Sequence, residues 1–210
     1  MKGLSWRQRT MAAMSPLVFA REVLGFHPDA AQARILSEAP RFRRIALNCS
    51  RQWGKSTVVA VLAVYRLLME PGATVLVAGP AARQSGETLR KVRAFLRVLG
   101  IKVRGDKANA NAAVLPNGSR IVALPAVEAT IRGFSGVAML IIDEASRVPD
   151  EVCLALLPSL AVSKGDLIVV STPRGKRGFF YKVMTGCEAG WLRPLLSKTL
   201  RIHLDEVSVG

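Results

Sequence analysis

The feature that most constrains this chain is a series of short runs that are apolar at nearly every position. Ile45–Asn48, Thr74–Ala78, Val137–Asp143 and Asp166–Thr172 do not alternate polar with apolar residues. A strand with one wet face alternates, whereas a strand covered on both faces does not. Helical stretches separate these runs. Ser56–Leu68 is apolar almost all round, as in a helix buried between layers. Ser85–Leu99 gathers Leu89, Val92, Phe95, Leu96 and Leu99 on one face, and Asp150–Ala161 and Gly178–Met184 add two more helices. The alternation predicts an α/β fold with a mostly parallel central sheet flanked by helices. Ala112–Leu115 and Arg120–Leu124 flank Pro116-Asn117-Gly118-Ser119 and read as a hairpin.

The ends read differently. Residues 1–40 are helical with breaks: Ser15-Pro16 opens one stretch, Gly25 and Pro28 interrupt it, and Asp29 caps a second over Ala30–Glu38. Past Trp191 the pattern fades. The expected division is a helical segment over 1–40, a core over 41–190 and a loose tail over 191–210.

Composition narrows the partners. The 210 residues carry 30 Lys+Arg against 15 Asp+Glu, a net +15, and 21 of the basic residues are Arg. A pI near 10.9 points to a polyanion, with nucleic acid first. Arg41-Phe-Arg-Arg44 reads equally as a solvated edge or a polyanion contact. No apolar run reaches the roughly 18 residues that span a bilayer, so no membrane partner is expected. Lys2, Arg7 and Arg9 ahead of Met11–Ala20 imitate a signal peptide, but Pro16 interrupts the stretch and no cleavage site follows. Cys49, Cys153 and Cys187 are odd in number and widely spaced, which implies neither a disulfide framework nor a zinc site. That usage suits a reducing cytoplasm.

The chemistry concentrates in three places. Cys49-Ser-Arg-Gln-Trp-Gly-Lys-Ser-Thr57 lies between an apolar run and a buried helix, where a phosphate-binding loop belongs. Backbone N–H groups there cradle phosphates, Lys55 reaches the β- and γ-phosphates, and the Ser56 hydroxyl holds Mg²⁺. The pattern G-x-x-x-x-G-K-[ST] asks for Gly where Cys49 stands. Met139-Leu-Ile-Ile-Asp143-Glu144-Ala145 is an apolar run ending in two carboxylates. Asp143 suits Mg²⁺ and Glu144 suits a general base, although adjacent acids also cap helices. Asp166–Thr172 ends in hydroxyls, Ser171 and Thr172, before Pro173. They hydrogen-bond a γ-phosphate or the catalytic carboxylate, or belong to a plain turn. Thr74–Leu99 lies between the first two motifs, as in P-loop NTPases of the additional-strand, catalytic-glutamate type.

Together these motifs resemble the ATPase domain of the large terminase subunit, the DNA-packaging motor of tailed bacteriophages. Ser50-Arg51-Gln52-Trp53-Gly54-Lys55-Ser56 matches that family's variant loop, which lacks the first Gly and carries Arg-Gln inside. Asp143-Glu144-Ala145 matches its second motif and Ser171-Thr172-Pro173 its coupling motif. Phe26-His-Pro-Asp followed by Gln32 matches its adenine-reading glutamine motif, and an amide offers a donor and an acceptor at once. The resemblance implies ATP and Mg²⁺ as ligands, with nucleotide contacts through Gln32 and residues 50–57. It implies Arg51 as a cis γ-phosphate contact and Arg132, in Thr130-Ile-Arg-Gly-Phe-Ser135, as a trans arginine finger; a surface arginine beside a glycine turn is the plainer reading of Arg132. The implied partners are double-stranded DNA, the portal protein, the small terminase subunit and further copies in a pentameric ring, in the host cytoplasm. Arg83, Arg90, Lys91, Arg93, Arg97, Lys102, Arg104 and Lys107 are the candidate DNA contacts.

The family resembles a two-part machine with a nuclease after the ATPase. Past Ser171 only Glu188, Asp205 and Glu206 are acidic, so no nuclease half is expected in this chain. A helicase-like DNA-dependent ATPase and a truncated remnant that binds DNA or partners without turnover are the alternatives.

Overall fold

The computed structural model describes Thr10 and residues 15–106, 109–127, 133–186 and 189–196. Ser15 caps α1 (Pro16–Val18), which runs on as a π-helical turn over Phe19–Val23. Asp29 caps α2 (Ala30–Glu38). Then come β1 (Arg44–Cys49), α3 (Lys55–Met69), β2 (Thr74–Gly79) and α4 (Ala82–Val98). Three strands follow: β3 (Arg104–Asp106), β4 (Asn109–Val114) and β5 (Arg120–Pro125). The chain continues through β6 (Met139–Asp143), α5 (Asp150–Leu156), β7 (Asp166–Ser171), α6 (Gly178–Thr185), β8 (Trp191–Leu192) and β9 (Leu195–Leu196).

One sheet takes these nine strands in the order β3-β4-β5-β2-β6-β7-β1-β8, with β9 also on β1. Among the described residues, only β3·β4 and β4·β5 are antiparallel. The expected hairpin is present, with Ala113 opposite Ile121; β3 is an added strand with no apolar signal in Arg104-Gly-Asp.

Successive residues of each core strand feed opposite layers, which explains the unbroken apolar runs. Val75, Val77, Ile141, Ile168 and Val170 pack against α1–α4, while Leu76, Leu140, Ile142, Leu167 and Val169 pack under α5 and α6. Each fully buried aliphatic side chain contributes roughly 1.5–3 kcal/mol of transfer free energy, so strands covered on both faces contribute from nearly every position.

Several expectations are adjusted. The helix expected over Asp150–Ala161 stops at Leu156 and tightens to a 3₁₀ turn, Leu157–Leu160. Pro158 has no N–H to continue the ladder. Within the tail expected from residue 191, β8 and β9 pair parallel to β1, and residues 197–210 lie outside the described residues. Arg43 donates to the Lys164 carbonyl and Arg44 lies 5.8 Å over the Trp191 ring, so two members of the 41–44 basic cluster have local partners. At Gly165 a Cβ would collide with the Val137 carbonyl, so close backbone approach demands glycine there. Among the described residues, no helix is long and apolar enough to cross a membrane.

Candidate functional site

β7 lies between β1 and β6, so Cys49, Ser171 and Asp143 end side by side at one edge of the sheet. The strand that separates the two motif strands in space is β7, from later in the chain, and β2 sits on the far side of β6. A crevice outside the carboxyl ends of parallel strands is where such sheets bind ligands.

The loop after β1 bends through two left-handed residues, Gln52 (φ 60°) and Gly54 (φ 95°). α3 starts directly at Lys55, so its unpaired N–H groups open on the crevice. A Cβ on Gly54 would meet Gln32 Nε2 at 2.8 Å, a second reason for glycine. Gln32, 8% exposed, donates from Nε2 to the Trp53 carbonyl (3.0 Å), while its Oε1 accepts from the Asp29 N–H (3.1 Å). The residue expected to read adenine thus clamps the loop to the start of α2. Trp53 is 2% exposed with its ring in the core, so only its backbone belongs to the loop surface. Cys49, where the general phosphate-loop pattern has glycine, is likewise a core residue; burial pushes its thiol up to about 12.

Asp143 is 3% exposed. Its Oδ2 accepts from Thr88 Oγ1 (3.1 Å) and its Oδ1 from the Glu144 N–H (2.9 Å). Burial raises its pKa, opposed chiefly by the nearby Lys55 charge. Glu144 adopts the left-handed region (φ 51°), a costly conformation for a non-glycine residue. That turn aims its carboxylate at Lys55 Nζ, 2.5 Å away, and Thr172 Oγ1 donates to its other oxygen at 3.4 Å. Of the two hydroxyls that end β7 and follow it, that of Thr172 reaches the carboxylate and that of Ser171 does not. Ser146 N–H donates to Ser171 Oγ (3.1 Å), Ser171 Oγ to Ser146 Oγ (2.8 Å) and Ser146 Oγ to the Thr172 carbonyl (3.0 Å). Pro173 is exposed beyond them.

Arg51, Gln52, Lys55, Gln84, Glu144, Arg147 and Thr172 line a cleft of about 270 Å³. Gln84, on the first turn of α4, and Arg147, on the 3₁₀ turn after Glu144, are additions that sequence motifs do not flag. Ser56 is buried in the first turn of α3, and together with Asp143 it offers hard oxygens of the kind Mg²⁺ takes alongside phosphate and water. Among the basic candidates, Lys91 donates to Thr57 Oγ1 (2.9 Å) and Arg93 to the Ala112 carbonyl (2.9 Å), so both point inward. Arg83, Arg90, Arg97, Lys102 and Arg104 are exposed. Arg132 and Lys107 lie outside the described residues.

Residues 46–202 match the family model "Terminase large subunit, T4likevirus-type, N-terminal". The large terminase subunit of Thermus virus P23-45 is 27% identical over 188 residues, covering 80% of this chain. This chain spans only 38% of that relative's length. Among solved structures, the large terminase ATPase domain of Thermus phage P74-26 superposes with a TM-score of 0.75 at 21% identity, over 90% of this chain and 88% of that one. The large terminase of a thermophilic bacteriophage in complex with ADP gives 0.65 at 16% identity, over 85% of this chain and 48% of that one. The additional-strand topology, the glycine-pivoted loop and the family match agree: the chain is a P-loop ATPase fold and belongs to the N-terminal family of T4-like large terminase subunits.

Proposed function

We propose that this chain is an ATP-hydrolysing motor domain that drives double-stranded DNA into a phage procapsid in the host cytoplasm. The observation that carries the reading is Glu144, held between Lys55 and Thr172 at the mouth of the cleft. The ion pair engages both the phosphate-binding cation and the base. Entering phosphates compete for Lys55 and release Glu144. Glu144 then takes a proton from the water that attacks the γ-phosphorus as the bond to the ADP oxygen breaks. Ser56 and Asp143 would hold Mg²⁺, which would supply charge neutralisation on the phosphate oxygens. Arg51 neutralises charge in cis and Arg132 does so from a neighbour in a pentameric ring. The backbone of residues 50–57 cradles the phosphates, and Gln32 serves the base end while holding the loop.

Movement of Glu144 passes through Thr172 to the Ser146–Ser171 bonds and the turn carrying Arg147. DNA contact falls to the exposed arginines of α4. Arg83, Arg90 and Arg97 recur every seven residues and share one helix face, a ladder about 21 Å long at 1.5 Å per residue. Such contacts read phosphates and weaken steeply with salt. Portal protein and small terminase subunit complete the machine.

The test is steady-state ATP hydrolysis by wild type and Glu144→Gln, with and without double-stranded DNA. Turnover that depends on Glu144 and rises with DNA is expected; equal turnover in both proteins overturns the base assignment.

A further inference from the structure

α4 carries a second polar stripe that faces inward. Gln84, Thr88 and Lys91 stand at i, i+4 and i+7, so they share a face. Each reaches the nucleotide site at a different depth. Gln84 lines the cleft, and its Oε1 is buried with no hydrogen-bond partner. Thr88, fully buried, donates to Asp143 Oδ2 at 3.1 Å. Lys91 donates to Thr57 Oγ1 at 2.9 Å, one residue beyond Ser56. The neighbouring stripe of Leu89, Val92 and Leu96 anchors the helix in the core, so the polar groups are held in fixed register.

We propose that Gln84, Thr88 and Lys91 form a third wall of the nucleotide site, in which Thr88 and Lys91 are positioning residues for the metal and phosphate ligands. This rests on the ATP-binding reading above. The donor directions make the case. An ammonium only donates, so the Thr57 hydroxyl accepts from Lys91 and its own proton points away, free for a phosphate oxygen. The Asp143 carboxylate has one oxygen held by Thr88 and the other by the Glu144 N–H, which fixes its plane and leaves its remaining lone pairs for the metal. Bonds of this kind orient a metal ligand without touching the metal, and their loss commonly weakens metal affinity about 10–100-fold. The stripe also explains why Thr88 and Lys91 are polar in a helix packed on α3.

The two positions predict different signatures. Fluorescent N-methylanthraniloyl-ATP is titrated into the full chain in EDTA and in Mg²⁺, with thermal melts of every variant without nucleotide. Thr88→Val, which keeps shape and removes the donor, should cut the affinity gained from Mg²⁺ about tenfold and leave binding in EDTA unchanged. Thr88→Ser should restore the gain. Lys91→Met, which keeps the stem, should weaken binding about fivefold in both conditions, the worth of one hydrogen bond. Equal losses in EDTA and Mg²⁺ for Thr88→Val, or no loss at either position with unchanged melts, overturn the positioning role. Failure of Thr88→Ser to rescue does the same. Wild type that binds no nucleotide in either buffer overturns the ATP reading itself, and so separates the two failures.

Discussion

Two walls of the candidate site are built in different ways. The loop wall, residues 49–57, is one contiguous segment shaped by its backbone, with Gln52 and Gly54 at positive φ. The α4 wall is three side chains spaced along a helix, reaching Asp143 and Thr57 only because the core seats that helix against α3. A contiguous wall carries its geometry in local backbone preference. A spaced wall has no geometry until the helix is docked. Damage to the first should abolish function locally, while damage to the second should tune it.

The largest effect is expected at Lys55→Ala. It removes the cation proposed for the phosphates and the Glu144 partner together, so nucleotide binding and turnover should fall to background in a binding titration and a phosphate-release assay. Near-normal turnover would break the comparison outright. Glu144→Gln should lower turnover about 10²–10⁴-fold with nucleotide binding retained.

Gly54→Ala attacks the loop wall through its backbone. It combines a positive φ with a 2.8 Å clash against Gln32 Nε2. A stability loss of about 1–3 kcal/mol is expected by urea denaturation. An unperturbed midpoint would mean the loop reshapes freely and the clamp by Gln32 matters little.

Asp143→Asn has the opposite sign in the metal-free protein. Burial raises the Asp143 pKa in the folded state. A raised carboxyl pKa means stability is highest where the group is protonated and is lost as pH rises through the folded pKa. The Asn variant carries no such penalty, so at neutral pH its melting temperature should exceed wild type, while the Mg²⁺-dependent gain in nucleotide affinity disappears. The difference in melting temperature should shrink as pH falls. A variant less stable than wild type at neutral pH would show that Thr88 and Lys55 more than offset the burial.

The smallest effect concerns Cys49 and Cys153, whose thiols burial pushes up to about 12. Neither should react with a thiol reagent at pH 8 until the protein unfolds, as mass spectrometry of the labelled peptides would show. Rapid labelling of Cys49 in the folded chain would place it on the ligand side of the loop.

Much of this was legible beforehand. Apolar runs without alternation announced strands covered on both faces, and Asp29 announced the start of α2, whereas the reciprocal cap by Gln32 was not foreseen. The hairpin was written in Pro116-Asn117-Gly118-Ser119. The paired acids and the Gly-Lys-Ser loop pointed to one place, and the fold brings them together at one cleft. Other features were not legible, for identifiable reasons. β8 and β9 are two residues each and hold only by pairing with β1. Lys91 and Arg93 looked like surface charge because a basic residue on a helix gives no sign of which neighbour it will meet. Gln84 and Arg147 carry no motif, and they meet across the cleft only when α4 and the turn after Glu144 are packed on one sheet.

The sequence by itself determined the layered α/β architecture, the loop and the carboxylate pair, because period, turn chemistry and backbone preference act over a few neighbouring residues. The tertiary structure alone decided that β7 separates β1 from β6, that Gln32 holds the loop, that Lys55 and Glu144 are paired, and which basic residues of α4 face inward. Those are contacts between segments tens of residues apart, and their partners are chosen by how whole elements pack.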